Sequence, residues 1–287
     1  MEANGLAYLP AGEARLLRHL DDMFERWGIG VGAEPVIGAP LLPVAKLAKL
    51  DYYQNFPHQA LVVNALDLER RPQGQDACAI EAFPPEQLQS AEIALPSATC
   101  YAVYLGMEGT SLPGNTLITL VGRCFRREER YTGLRRLLGF HMREIVALGE
   151  QEFVEEHIDR FSSRILQFAE ALDLPLRKEA ATDPFFDGEG PRALLQRIAP
   201  VKYEFLAGDL AIASVNKHRN FFGERCDIQL ADSGRPVFTS CVAFGLERWL
   251  AVLHDRYGDW AAADEAVAKA DRALASAAPI EGTSHAV

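Results

Sequence analysis

The sequence predicts an α+β domain built around an antiparallel sheet, and three observations carry that expectation. Residues 115–128 and 136–149 are two long strand patterns rich in β-branched and apolar residues; the polar, Gly-containing stretch 129–135 between them makes a hairpin. Residues 151–174 repeat apolar side chains at i, i+3, i+4 and i+7, the mark of an amphipathic helix. Short strand patterns then recur between residues 201 and 245, and the chain closes on helical patterns.

Taken in order, residues 12–28 place apolar side chains at helical spacing and end in glycine, so a first helix is expected. Residues 31–43 are punctuated by Pro and Gly, and the segment 47–56 and the apolar run 60–66 follow. Pro84, Pro85 and Glu86 have the proline-then-acidic pattern of a helix start leading into 86–95. Residues 97–109 read as a buried strand running into a loop. After the long helix and a Gly- and Pro-containing loop at 188–191, a short helix begins at Arg192. Residues 201–207, 210–216 and 224–230 read as three strands, 236–245 as a fourth, 245–258 as a helix and 261–277 as a last helix. With no internal repeat and no strong linker, one domain over 1–287 is expected: a core of about 30–260, a C-terminal helix of about 260–276 and a polar tail.

The chain carries 40 acidic against 29 basic residues, a net charge of −11. Sequence-independent binding to a phosphate backbone needs cations that displace condensed counterions, so such a role is disfavoured and any basic site must be local. No stretch approaches the roughly 18 uninterrupted apolar residues of a membrane span, and the N-terminus lacks a basic-then-apolar leader. A soluble cytoplasmic protein is expected. The five cysteines, Cys78, Cys100, Cys124, Cys226 and Cys241, are odd in number and scattered, which reads as free thiols or metal ligands.

Two segments carry residues suited to chemistry. Residues two apart on a strand share a face, so Cys124, Arg126 and Glu128 point one way, and Phe140, Met142 and Glu144 share a face on the return strand. If those faces coincide, a guanidinium for a phosphate and an aromatic ring for a base lie side by side. From spacing alone the same residues also read as a solvated charged hairpin with Phe140 in the core. Near the C-terminus a strand meets a helix at Gly245, with Arg248 in the first turn; glycine allows close backbone approach and a helix start favours anions. An ordinary strand-to-helix turn with an exposed arginine fits that segment equally.

Together the two segments resemble class II aminoacyl-tRNA synthetases. Cys-Phe-Arg-Arg-Glu (124–128) followed by residues 136–145 looks like the second signature of that class, and Ala-Phe-Gly-Leu-Glu-Arg-Trp (243–249) looks like the third. The first, dimer-forming signature is placed near Pro35 to Pro43. Within the class the match is nearest to the unusual seryl branch, which holds zinc through Cys, Glu and Cys; Cys100, Glu144 and Cys241 fall at the matching places. Two thiolates, a carboxylate and an open position suit Zn2+. Cys124 is the substitute ligand for Cys100, while Cys78 and Cys226 are taken as structural.

The chain shows no sustained heptads for a tRNA-gripping arm, and so resembles the amino acid:carrier protein ligases, truncated homologues of the zinc-containing seryl enzymes. The resemblance covers about residues 30 to 260 and includes 202–223. It implies that ATP and a small amino acid, glycine or alanine, give an aminoacyl-adenylate, which a phosphopantetheine thiol on an acyl carrier protein then attacks. It further implies Arg126 on the α-phosphate, Glu128 on the adenine edge, Phe140 stacked on one face of the base, and Arg248 stacked on the other while neutralising the γ-phosphate. Mg2+ would accompany ATP, zinc would hold the amino group, and Asn216 and His218 would line the substrate pocket. Arg192, Arg197 and Lys202 are expected as a local basic patch for an acidic carrier protein, and a homodimer is expected from the class. Two other readings stay open at this level: a tRNA-charging enzyme with an RNA-binding partner, and a non-catalytic relative that retains the fold.

Overall fold

A computed structural model describes residues 5–70 and 80–276. Its centre is a seven-stranded sheet in the order β1-β6-β7-β12-β10-β9-β8. The strands are β1 (Glu34–Pro35), β6 (Thr116–Phe125), β7 (Gly139–Gly149), β8 (Leu176–Ala181), β9 (Lys202–Ala207), β10 (Leu210–Arg219) and β12 (Phe238–Gly245). Every pairing is antiparallel except the edge strand β1, which runs parallel to β6. The hairpin expected from residues 115–149 is β6–β7, and its register sets Cys124 opposite Phe140.

Four long helices cover one face of the sheet: α1 (Ala11–Ile29), α5 (Gln151–Ala171), α8 (Leu246–Tyr257) and α9 (Trp260–Ser276). Leu16, Leu20, Phe24 and Trp27 of α1 recur at helical spacing and are buried. They meet Ile145, Ala147, Val242 and Phe244 from the sheet, with the Phe24 and Phe244 rings stacked at 3.9 Å. The first and last helices therefore belong to the same buried core as the strands. Arg143 also lies on this face; its guanidinium donates to both Asp21 oxygens at 2.6 and 3.0 Å, the pairing a buried charge requires.

The other face is covered at one end only. There α2 (Val44–Lys49), α3 (Tyr52–Asn55), α4 (Cys100–Gly106) and α7 (Phe221–Cys226) bury Tyr52, Tyr104 and Phe222 against Leu120, Val146 and Leu148. Two small sheets, β2 (Leu42–Pro43) with β4 (Ile93–Ala94) and β3 (Val62–Val63), and β5 (Ser111–Leu112) with β11 (Gln229–Leu230), brace this layer. The short helix α6 (Pro191–Ile198) lies beside the mouth of the gap that remains.

Three local expectations are corrected. Residues 97–109 hold α4 (Cys100–Gly106), not a strand: Cys100, Val103 and Tyr104 are buried at i, i+3 and i+4, a run too short to separate from a strand by pattern. Residues 224–230 finish α7, turn at Asp227 in the left-handed region (φ 52°) and give only the two-residue β11. Pro84 and Pro85 start a single 3-10 turn, Pro85–Gln87, rather than a longer helix.

Candidate active site

The uncovered middle of the sheet floors a cavity of about 480 Å3. Strand alternation decides what faces it. Glu144 pairs with Ala243 across β7 and β12, Cys241 pairs with Asn216 across β12 and β10, and Asn216 pairs with Lys202 across β10 and β9. Directly opposed residues share a face, so Phe140, Met142, Glu144, Cys241, Ala243, Asn216 and Lys202 line one floor.

At one end of that floor lie the arginines. Arg126 follows the end of β6 and donates its Nε to Ser97 O at 2.9 Å; its guanidinium carbon stands 5.2 Å from the centroid of the Phe140 ring. Arg248, in the first turn of α8, donates to Arg135 O at 3.2 Å and to Ala211 O at 3.0 Å. Burial, then the neighbouring Arg126 and Arg136, push its pKa down to about 10, against the pull of Glu204 and Glu128. Burial and two neighbouring guanidiniums thus weigh against the charge on Arg248, and a bound anion would relieve that repulsion. Glu128 is held by Arg136 at 3.0 Å. Gly245 lines the cavity, and a Cβ there would stand in ordinary contact with the Arg248 side chain, 3.6 Å from its Cδ.

At the deep end are Cys100, Glu144 and Cys241, all buried, with one ligand atom from each lying within 4.8 Å of the others. They come from three elements: the first turn of α4, the middle of β7 and the middle of β12. Thr99 N–H donates to Glu144 Oε1 at 2.8 Å, whereas Glu144 Oε2 is buried without a partner. Burial raises the Glu144 carboxyl pKa, and the Cys100 thiol is pushed well up by its hydrogen bond to Cys241, by burial and by Glu144. Two thiols and an orphaned carboxylate oxygen converging on one buried point is an arrangement that a divalent, borderline-soft cation would complete, so the donor set fits zinc. Among the described residues this is the only such His/Cys/Asp/Glu group.

The remaining expected residues divide. Asn216 Nδ2 lies 3.6 Å from Cys241 Sγ and His218 Nε2 lies 3.8 Å from it, so both border the trio. Burial holds the His218 pKa down near 4, so the ring is neutral. Cys124 is buried on the same sheet face, but its Sγ is 3.3 Å from Thr99 Oγ1 and it is not part of the trio; burial pushes it up to about 12. Cys226 is buried at the end of α7, and Cys78 lies outside the described residues.

The basic patch is not one surface. Arg192 donates to Asp51 at 2.6 Å, alongside Arg225 at 2.7 Å, and both guanidiniums lie over the Phe221 ring. Lys202 is on β9 with its side chain only 14% exposed, turned into the cavity between Asp183 and Glu204. Arg197 faces outward, paired with Glu189. What α6 exposes instead is apolar: Leu194, Leu195 and Ile198, with Phe186 nearby in the chain. The strand period that turns Lys202 inward was available in the sequence, but the clamp on Arg192 depends on Asp51, far away along the chain.

Sequence reasoning passed over Glu247. It is buried in the first turn of α8, and its two oxygens accept from His141 N at 2.8 Å and meet His141 Nδ1 at 2.7 Å, tying the α8 start to β7. An acidic first-turn residue beside Arg248 was the one signal for it, and such residues are usual at helix starts.

The architecture is the class II seryl-tRNA synthetase catalytic core. M. kandleri seryl-tRNA synthetase, solved with A. aeolicus tRNASec, superposes with a TM-score of 0.77 over 98% of this chain at 21% identity; this chain spans 59% of that one. No family model matches the sequence. Two curated proteins of Bradyrhizobium diazoefficiens do: amino acid--[acyl-carrier-protein] ligase 1, 32% identical over 79% of this chain and 72% of its own length, and amino acid--[acyl-carrier-protein] ligase 2, 30% identical over 76% and 68%. The chain belongs to that family of ligases.

Proposed function

We propose that this chain activates glycine or L-alanine with ATP and passes it to the phosphopantetheine thiol of an acyl carrier protein. The observation that carries the reading is one cavity with a cation cluster and an aromatic ring at one end and the Cys100–Glu144–Cys241 trio at the other. In the first step an amino-acid carboxylate oxygen attacks the α-phosphorus and pyrophosphate leaves. In the second the carrier thiol sulfur attacks the acyl carbon, AMP leaves and the thiol proton is released.

Arg126 binds the α-phosphate and stabilises charge that builds in the pentacoordinate transition state, held in place by Ser97. Phe140 stacks on adenine, Glu128 takes its amino edge, and Arg248 covers the other face and meets the γ-phosphate, with Mg2+ accompanying ATP. The space left by Gly245 lets the nucleotide approach the backbone. Zinc, when bound, supplies a Lewis acid that holds the substrate's neutral α-amine. Phe222 and His218 wall that end of the site, with Phe222 backed by the Tyr104 ring stacked on it at 3.9 Å, which favours a small side chain. One methyl group is worth about 1–3 kcal/mol of discrimination, so glycine and alanine compete.

The exposed Leu194, Leu195 and Ile198 of α6, with Arg197, are the surface on which the carrier docks beside the cavity mouth. A second copy of the chain covers the apolar groove around Val36, Ile37 and Leu41, next to the edge strand β1. No described helix is long and apolar enough to cross a membrane.

ATP–pyrophosphate exchange with each of the twenty amino acids, before and after zinc removal, tests the first step. Exchange with glycine or alanine that disappears with the metal supports it, and no exchange in a folded, zinc-loaded sample refutes it. Offering the activated product both tRNA and phosphopantetheinylated carrier protein tests the acceptor; label on tRNA alone refutes the carrier reading.

A further inference from the structure

His218 occupies a special position on β10. Lys217 pairs with Ser240 and Arg219 with Thr239, so two steps along β10 match one along β12 and His218 is the bulged residue between them. A bulge re-aims a side chain, and this one brings the imidazole to the same sulfur that Asn216 reaches. Nε2 lies 3.8 Å from Cys241 Sγ. Nδ1 lies 3.3 Å from both Tyr104 Oη and Thr239 Oγ1.

The tautomer follows from these partners. A neutral imidazole has one donor and one acceptor nitrogen. A metal-bound thiolate carries no proton and only accepts, so the nitrogen facing Cys241 must be the donor. Nδ1 is then the acceptor, and its two partners are hydroxyls, which can donate; a carbonyl or carboxylate there would have forced the opposite tautomer.

We propose that His218 is a positioning residue for the zinc site, donating Nε2–H to the Cys241 thiolate from outside the metal's own ligands, in a tautomer fixed by Tyr104 and Thr239. The inference rests on the zinc reading above and adds a division of labour to it. Two thiolates and a carboxylate bring three negative charges to one divalent ion. Thr99 N–H draws charge from Glu144, and Asn216 and His218 draw it from Cys241. Charge withdrawn from the ligands leaves the metal a better acceptor for the substrate amine.

The test compares the intact protein with His218→Leu, His218→Gln and the Tyr104→Phe/Thr239→Val pair. Zinc affinity is read by competition with a chromophoric chelator, and cobalt-substituted protein by its visible spectrum. His218→Leu is expected to weaken zinc by roughly 10- to 100-fold, the usual loss for such partners. His218→Gln, whose amide nitrogen reaches the Nε2 position, should recover most of that loss. In the cobalt protein, losing the N–H makes the thiolate more electron-rich, so the sulfur-to-metal charge-transfer band of His218→Leu moves to longer wavelength while the d–d bands keep their intensity. The Tyr104→Phe/Thr239→Val pair frees the tautomer and should move affinity and band in the same direction by less; it carries the test if His218→Leu does not fold.

Unchanged affinity and spectrum in the variants, or His218→Gln no better than His218→Leu, would overturn the proposal. So would a d–d change showing that His218→Leu has lost a direct ligand. An intact protein that binds no zinc refutes the metal reading and this inference with it, whereas an intact protein that binds zinc beside insensitive variants refutes only the inference.

Discussion

Glu144 and Cys241 stand diagonally across neighbouring strands: Glu144 faces Ala243, Cys241 faces Val146, and both side chains rise from the same sheet face. The register between β7 and β12 therefore brings the two together, and α4 delivers Cys100 from above. Replacing Cys100 or Cys241 with Ser, or Glu144 with Gln, should drop zinc from one ion per chain to almost none. Elemental analysis of protein recovered from gel filtration reads this directly. Because burial disfavours a charge on Glu144, Glu144→Gln, which removes that charge, should leave the metal-free protein at least as stable as its parent, measured by urea unfolding.

The arginine cluster gives a different signature. Arg248→Ala and Arg126→Ala should each cut pyrophosphate exchange by about 10²–10³-fold, the usual loss of a preorganised charge donor. Zinc content should stay unchanged, because neither residue touches the trio. Arg248→Lys should recover little, since an ammonium cannot both hold Ala211 and Arg135 and stack on a base.

Surface and cavity residues around α6 should separate in a two-step assay. Leu194→Asp and Ile198→Asp alter residues that are 48% and 72% exposed, so transfer to the carrier protein should fall severalfold while pyrophosphate exchange holds. Arg192→Glu should damage both steps, because it breaks the bond to Asp51 and sets a carboxylate against it. Lys202→Glu should also damage both, since it places a third carboxylate beside Asp183 and Glu204 inside the cavity.

His157 governs part of the acid stability. It is buried, with Nε2 3.1 Å from Ile145 O and Nδ1 without a partner, and burial lowers its pKa from 6.5 to about 4. The unfolded chain therefore takes up the proton first. Its contribution is fully present above pH 6.5 and is lost as pH falls towards 4, by about 3 kcal/mol in all. His157→Gln, which keeps a donor for Ile145, should flatten that acid limb in urea titrations run at successive pH values; an unchanged slope would remove His157 from the account.

The β6–β7 hairpin, the long helices α1, α5, α8 and α9, and the shared strand face of Phe140 and Glu144 were legible from residue order, because a period of 2 or 3.6 sustained over ten or more residues leaves one interpretation. Short segments were not: α4 and the end of α7 carry apolar runs whose pattern fits either period, and only packing against Leu120, Val146 and Leu148 selects the helix. Residue chemistry alone indicated only that the cysteines were free thiols or metal ligands, and the set of Cys100, Glu144 and Cys241 came from the resemblance to the zinc-containing seryl branch. That Cys100 meets Glu144 and Cys241, that a bulge turns His218 onto the same sulfur, and that Asp51 claims Arg192 were decided by the tertiary structure. Each joins side chains far apart in the chain, and such distances are set by sheet register and helix docking, which no local pattern encodes.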